Sequence, residues 1–374
     1  MANVTGLDCI GIPVVMVSRP NARSLAVSQG KGFDLTAAQA SGLMESIELF
    51  HAERITRPVK LASWNDLRFS HELVSIDALP RISVSTFRPD LRLLWIEGID
   101  LIGSRRVWLP YEIVHTDFTL PFPTGSGCFT MSSNGLASGN HFLEAVSHGL
   151  CEVIERDAGS LFRFQSVAGQ AELRVDLATV DDQECRDMIR LYERAGVTVG
   201  VWDMTSDLGI ACFRCVILDN DPNPFRRVGS SEGMGCHPVR EVALLRALSE
   251  AAQARLTLIA GSRDDNGRGR YGQVQDEALI NRARERLAER GLRRFQAAPT
   301  YTNDTFEEDV ASILKGLRRA GLSEAIVVDL TKPEFGVPVV RVVVPGLETY
   351  HHVQGYVPGL RARRLLEARM EEAQ

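Results

Sequence analysis

The sequence contains no apolar run close to the roughly 20 residues that a membrane-spanning helix needs. Its first residues lack the basic start and the small-residue cleavage site of a secretory signal peptide. Lysine and arginine (42) are fewer than aspartate and glutamate (48), so a basic surface for non-specific binding of nucleic acid is not expected. We therefore expect a cytoplasmic protein with neither a membrane nor a nucleic acid as partner.

Several signatures of nucleotide, metal and nucleophile sites are also missing. There is no GxxxxGK[ST] phosphate loop, no HExxH metal pair and no GxSxG nucleophile turn. The seven cysteines are scattered, and the single CxxC, Cys212 with Cys215, lies in a segment typical of a strand. Residues three apart on a strand point to opposite faces, so two buried structural cysteines are favoured over a zinc site.

The 374 residues, 44% of them hydrophobic, are enough for a large core. Strands and helices do not alternate regularly, which favours an α+β fold with mixed or antiparallel sheets packed against helices. We expect strands at 10–18, 81–87 and 92–102, and we interpret the glycine-rich stretch 229–237 as a loop. The periodicity predicts helices over 36–55, 140–165, 180–195, 238–260, 276–290, 305–320 and 359–373.

Carboxylates recur on two of these helices. Glu45 and Glu48 are three residues apart and share a helix face with apolar residues. Glu144, Glu152 and Glu155 fall within about 80° of one another on the helix wheel. Carboxylates beside an apolar, core-facing stripe need a nearby positive charge, because an unpaired buried charge is costly. Mg²⁺ could supply that charge, since it prefers oxygen ligands. A solvated helix face is the alternative interpretation of each set.

Cations that could meet phosphate lie near glycines or on long helices. Lys31 stands between glycines in SQGKG, and Arg156 directly follows Glu155. Arg255 and Arg263 are candidate phosphate ligands because the guanidinium group matches phosphate oxygens. A solvated lysine and, above all for Arg263, a surface ion pair are the alternatives. The stretch SSNGLASGN, which ends at Asn140, is either an anion cradle before a helix or a plain loop.

Taken together, these stretches resemble the YcaO family. The resemblance rests on SQGKG, ASGLMESIE, SSNGLASGN, EAVSHGLCEVIERDA, GMGCHPVREVALLRALSEAAQAR and PGLE, which occur in the family's order. It covers residues 6 to about 350. It implies a single domain over 1–374 with the YcaO-type fold, an ATP site between helices and sheet, and a charged C-terminal helix at 359–373 outside the matched core.

The resemblance also implies roles for individual residues. Asn140 stands where many members carry glutamine. The residues matched to the Mg²⁺ ligands are Glu45, Glu48, Glu144 and Glu155. The residues matched to the ATP site are Lys31, Asn140, Glu144, Glu152, Glu155, Arg156 and Arg255.

The activity that the resemblance implies is ATP-dependent activation of a peptide-bond carbonyl in a ribosomally synthesised peptide or protein. Sulfide as nucleophile gives a thioamide, and a Cys, Ser or Thr side chain gives an azoline. The chain ends in RLLEARMEEAQ without the PxPxP tail of many azoline-forming members. It is most similar to the stand-alone members found with TfuA proteins, which are linked to thioamidation, although only four residues precede TGLD.

We therefore expect a thioamide-forming enzyme, acting on a precursor peptide or protein with a TfuA-type partner and forming a homodimer. An azoline-forming cyclodehydratase and a non-catalytic accessory ATP-binding protein, of the type that assists ribosomal methylthiolation, are the alternatives within the family. Without the resemblance, the glutamate cluster would also suit a Mg²⁺-dependent phosphohydrolase.

Overall fold

The structure is a computed structural model that describes residues 1–220, 228–265, 267–349 and 355–372. Residue 373, at the end of the predicted tail helix, lies outside the described residues. In the described ranges, no helix is both long and apolar enough to cross a membrane.

The strands pair in antiparallel ladders within three sheets. In chain order they are β1 Ala2–Asn3, β2 Val14–Ser18, β3 Val27–Lys31, β4 Val59–Ala62, β5 Leu93–Asp100, β6 Arg105–Pro110, β7 Leu136–Ser138, β8 Val197–Asp203, β9 Cys212–Asp219, β10 Ser231–Cys236, β11 Ile326–Asp329 and β12 Val339–Val343.

The helices differ widely in length. In chain order they are α1 Leu35–Glu53, α2 Trp64–Leu67, α3 Phe142–Phe164, α4 Val167–Glu172, α5 Gln183–Arg194, α6 Arg240–Ala260, α7 Arg268–Val274, α8 Glu277–Ala288, α9 Phe306–Arg319 and α10 Leu360–Glu372. The long predicted helices agree with α1, α3, α5, α6, α8, α9 and α10 to within a few residues. The predicted α+β architecture with antiparallel sheets is confirmed.

The chain is organised as two compact units, each assembled from three segments. The first unit comprises Met1–Ser46, Ser166–Thr205 and Gly209–Thr302. The second comprises Ile47–Gln165, Ser206–Leu208 and Asn303–Gln374.

The first unit contains two three-stranded sheets, with strand orders β1-β2-β3 and β10-β9-β8. Helices α5 and α6 pack on the second of these sheets. Its core holds fully buried apolar side chains from strands and helices alike, such as Val201, Phe213, Leu244 and Leu248. Burial of these side chains drives the packing of α6 on the sheet.

The second unit is built on a six-stranded sheet of order β4-β5-β11-β12-β7, in which β6 also pairs with β5. Helix α3 packs against β7 and β12, and α9 and α10 pack against α3. Ile96, Val107, Val328 and Val339 are fully buried in its core. Helix α3 therefore has one face on the sheet, and this fixes the direction of its other side chains.

Two local predictions are wrong. The stretch 229–237 is not a loop, because Ser231–Cys236 forms strand β10 in register with β9. The stretch 81–87 is not a strand, and it contributes only isolated bridges at Arg81 and Ile82. In both places the prediction relied on composition, glycine content in the first and β-branched residues in the second, whereas tertiary packing decides the conformation.

Two buried acids attach the C-terminal helix α10 to the rest of the second unit. Glu348 accepts the N–H groups of Gly359 and Ala362, at 2.8 and 2.9 Å, where α10 begins. The single Nε–H of Arg361 donates to both carboxylate oxygens of Asp157 of α3, at 3.0 and 3.2 Å. Asp157, which directly follows Arg156, is therefore directed toward α10.

Candidate functional site

Lys31 lies at the end of β3, where a glycine lets this strand come close to α1. A Cβ on Gly30 would lie 2.0 Å from the carbonyl oxygen of Ala38 and 2.2 Å from the N of Gly42, so only glycine fits. The ammonium group of Lys31 lies 2.6 Å from Glu250 Oε2 and donates to Gln253 Oε1 at 3.3 Å. Lys31 is thus positioned by α6 rather than being a solvated turn residue.

Glu45 of α1 is the carboxylate of the first unit in the predicted set. Its Oε2 accepts the backbone N–H of Gln29 on β3 at 2.7 Å. Burial raises the pKa of Glu45 above its ordinary value, while the Gln29 N–H and the positive charges of Arg263 and Lys31 act in the opposite direction. Glu45 is therefore a carboxylate that would gain from more nearby positive charge.

Arg255 is not brought to this cluster. Its side chain is fully buried, and its guanidinium group bonds Asp8 at 2.8 Å and Asp219 at 3.0 Å. Arg255 is about 140° around α6 from Glu250, because five residues separate them. The geometry gives Arg255 a role in joining the N-terminal segment, β9 and α6, and does not support the predicted phosphate contact.

Glu48 belongs to the second unit and is held by the residue that ends β7. Its Oε1 accepts both the backbone N–H of Ser138, at 2.9 Å, and the Ser138 hydroxyl, at 2.6 Å. Ser138 lies within SSNGLASGN, so part of this stretch is a strand and the rest leads into α3. The stretch thus contributes a hydroxyl beside a candidate metal ligand.

Asn140 and Glu144 bond to each other at the start of α3. Glu144 Oε2 accepts the Asn140 backbone N–H at 2.7 Å and its Nδ2 at 3.2 Å. His141 caps the helix by accepting the N–H of Leu143. Glu144 therefore reaches back across the first turn, and its carboxylate accepts the backbone N–H of the residue that precedes the N-cap.

Glu152, Glu155 and Arg156 come together two turns further along α3. Arg156 Nη1 lies 2.9 Å from Glu155 Oε1, and its Nη2 lies 3.7 Å from Glu152 Oε1. Glu155 is buried, with a side chain 5% exposed. A buried carboxylate beside a fixed guanidinium group is an arrangement suited to holding or exchanging a charged ligand.

The donor set fits Mg²⁺, because it consists of carboxylate oxygens. Over the described ranges, no three His, Cys, Asp or Glu side chains are arranged to hold a metal ion. Each predicted glutamate instead contacts a protein donor: Gln29, Ser138, Asn140 or Arg156. The oxygens are the hard ligands that Mg²⁺ prefers, so a bound ion would replace or share these protein donors.

Sequence reasoning missed or undervalued several residues of these clusters. Glu250 and Gln253 meet Lys31, and their spacing on α6 was the available signal. Arg263, interpreted chiefly as a surface residue, donates to Asp265 and lies close enough to Glu45 to affect its pKa. Arg341 of β12 gave no signal, because it stands alone in an apolar strand.

Comparison with known proteins agrees with the resemblance. A model of the family described as "YcaO cyclodehydratase, ATP- and Mg²⁺-binding" matches residues 29–348. An uncharacterized protein in the tfuA 3′ region of Rhizobium leguminosarum bv. trifolii is 36% identical over 365 residues, covering 96% of this chain and 86% of the relative.

Solved structures show the same fold. The YcaO protein from Methanopyrus kandleri bound with AMPPCP and Mg²⁺ is 25% identical with a TM-score of 0.74, over 94% of this chain and 87% of that one. A heterocyclase in complex with substrate and cofactor has a TM-score of 0.77 at 23% identity. The match covers 97% of this chain but only 50% of the heterocyclase.

The family match extends from β3 to the end of the PGLE stretch and includes each predicted glutamate. A relative more than 30% identical covers nearly the whole chain. The chain therefore belongs to the YcaO family, and its YcaO domain is of the type that binds ATP and Mg²⁺.

Proposed function

We propose that this protein uses ATP and Mg²⁺ to activate a backbone amide of a ribosomally synthesised peptide or protein, and that the product is a thioamide formed with a TfuA-type partner. The observation that carries the choice of product is the 36% identical relative in the tfuA 3′ region. The resemblance of residues 5–32 to stand-alone, TfuA-associated members supports the same choice.

The roles of the chain's own residues follow from their chemistry. We assign Glu45, Glu48, Glu144 and Glu155 to holding Mg²⁺, and Lys31 and Arg156 to contacting phosphate. ATP supplies the phosphoryl group for the amide oxygen, and Mg²⁺ offsets its charge. The protein positions the reactants and balances charge, which requires no protein nucleophile.

Both cations that we assign to phosphate contact are held in a fixed position by neighbouring side chains. Lys31 is fixed by Glu250 and Gln253, and Arg156 by Glu155 and Glu152. Fixed cations lose little side-chain entropy when they meet a phosphate. Asn140 and Glu152 are assigned to the same nucleotide site, as neighbours of Glu144 and Arg156.

Azoline formation is the second candidate function. The family description names cyclodehydratases, and a heterocyclase shares the fold. The two products differ in the nucleophile that adds to the amide carbon, which is sulfide for a thioamide and a neighbouring side chain for an azoline.

The deciding experiment measures ATP hydrolysis with Mg²⁺, with and without the TfuA-type protein and the candidate peptide encoded at the same locus, and follows the peptide by intact mass. Replacement of one oxygen by sulfur supports the thioamide. Loss of one water supports the azoline. Nucleotide binding with an unmodified peptide under all conditions would contradict both enzymatic functions.

A further inference from the structure

Arg341 is a buried cation that two backbone carbonyls hold in a fixed orientation. Only 1% of it is exposed, and it lies in the middle of β12. Its Nε donates to the carbonyl oxygen of Ile113 at 3.0 Å, and its Nη2 donates to that of Ser132. Its Nη1 is buried and has no hydrogen-bond partner among the described residues.

His115 presents a second buried donor. Its Nδ1 accepts the N–H of Asp117 at 3.2 Å, which places the ring proton on Nε2. That Nε2 is buried and, within the described part of the chain, has no partner. The Tyr111 ring stacks on the imidazole at a centroid distance of 4.6 Å and fixes its plane.

The two donors belong to the second unit and come from neighbouring parts of it, because Arg341 Nε bonds the carbonyl oxygen of Ile113, two residues before His115. The pKa of His115 is lowered to about 4, mainly by burial and also by the charge of Arg341, so the ring is neutral near pH 7. Burial lowers the pKa of Arg341 to about 10, while Glu152 acts in the opposite direction. Arg341 therefore stays charged, and its bond to Ser132 places it at the start of the SSNGLASGN stretch, which carries the Ser138 hydroxyl beside Glu48.

Buried donors are normally hydrogen-bonded, and a buried cation normally has a counter-charge. Glu152, the carboxylate that affects Arg341, already lies against Arg156 at 3.7 Å. Arg255 differs from Arg341 in this respect. Its Nη1 also lacks a partner, but two carboxylates contact its guanidinium group. Arg341 has no carboxylate within ion-pair distance in the described residues, so an anionic oxygen is the missing partner.

We propose that Arg341 Nη1 and His115 Nε2 bind an oxygen of one of the two outer phosphates of the nucleotide. This inference rests on the proposed function, because it requires ATP to bind at the candidate glutamates. A phosphate oxygen carries permanent negative charge, whereas an amide oxygen does so only briefly during reaction, and a buried permanent cation favours the former. Because Nη1 is buried, a neighbouring side chain has to move when phosphate enters.

The test compares the affinities of Arg341→Met and the wild-type chain for Mg²⁺-ATP and for AMP by calorimetry. Loss of a charge-assisted hydrogen bond to phosphate should weaken ATP binding about tenfold or more. AMP lacks the two outer phosphates. The affinity of the variant for AMP should therefore differ from the wild-type affinity by less than about twofold. A selective loss of ATP affinity is the expected result.

Arg174→Met is the matched control, because Arg174 is also buried and its guanidinium group also donates to backbone carbonyls, those of residues 286 and 287. This variant should leave the ratio of ATP to AMP affinity unchanged. If Arg341→Met does not fold, Arg341→Lys and the pair His115→Leu and His115→Gln test the same point. Glutamine retains a donor and should bind ATP more tightly than leucine does.

Three outcomes would overturn the inference. Equal weakening of ATP and AMP binding would make Arg341 a structural residue. Unchanged ATP binding in folded Arg341 and His115 variants would exclude the contact while leaving the proposed function intact. Failure of the wild-type chain itself to bind Mg²⁺-ATP would instead reject the proposed function and this inference with it.

Discussion

Glu155 is a buried carboxylate whose negative charge is balanced by the guanidinium group of Arg156 at 2.9 Å. If it is also a Mg²⁺ ligand, as we propose, its two roles place it at the centre of the nucleotide site. A residue with a direct role in binding should be more sensitive to substitution than any that acts through a neighbour.

We predict that Glu155→Gln abolishes measurable binding of Mg²⁺-ATP. The amide keeps the shape but removes the charge, and the effect should exceed the roughly 10- to 100-fold typical for loss of an outer-shell partner of a metal. Calorimetry with AMPPCP and Mg²⁺ measures the change. Glu193→Gln, at an exposed position on α5, is the control and should bind normally. Wild-type affinity in the Glu155 variant would reject the metal assignment.

Residue chemistry was predictable from the sequence, while side-chain direction was predictable only in part. The i, i+3 spacing correctly predicted that Glu152 and Glu155 share a helix face, because helix geometry alone fixes it. It could not show which side of α6 bears Arg255, since that depends on Asp8 and Asp219, far away in sequence. Nothing in the sequence indicated a role for Arg341 either, because it stands alone in an apolar strand and its partners Ile113 and Ser132 are distant in sequence.

Strand β10 shows how an element can be misread from composition. Gly233 and Gly235 suggested a loop, yet they lie in a regular strand beneath α6. A Cβ on Gly235 would lie 2.1 Å from the Ala243 carbonyl oxygen. These glycines are present because the strand and the helix approach closely, and only the tertiary structure reveals that. The long helices, with clear periodicity, were predicted well because the signal is local.

We predict that Gly235→Ala lowers the free energy of unfolding by about 3 kcal/mol or more, because the added methyl group meets rigid helix backbone rather than a side chain that can move. Denaturant titration of the variant measures the change. Gly6→Ala is the matched control, since nothing lies within 4 Å of a Cβ at that position. A loss at residue 235 no larger than the loss at residue 6 would show that β10 and α6 separate easily.

Over the whole molecule, buried ionisable groups set how stability depends on pH. His115 has a pKa of about 4 against an ordinary value of 6.5, so the unfolded chain binds its proton first as the pH falls. The stability that the neutral ring contributes is present above about pH 6.5 and is lost as the pH falls toward 4. The pKa of Asp157 is raised to about 6, mainly by burial, and this group acts in the opposite direction.

We therefore predict that moving from about pH 7 to about pH 5 destabilises the wild-type chain more than the His115→Gln variant. The difference should be roughly 2 kcal/mol, the part of the linkage for a pKa shift from 6.5 to about 4 that falls between pH 7 and pH 5. Denaturant unfolding of both chains at each pH measures it. Because Asp157 is common to both chains, its opposite effect cancels in the comparison. Parallel pH curves would mean that the ring of His115 is not buried in solution.

The attachment of α10 through Asp157 sets a practical limit on redesign of the chain. The four letters ERDA combine two purposes: Glu155 and Arg156 belong to the candidate site, while Asp157 holds Arg361. Removing α10 would leave Asp157 as a buried carboxylate without its guanidinium partner, which is costly in free energy. A shortened version therefore needs a neutral residue at position 157 in the same design, so the end of the protein cannot be edited independently of its middle.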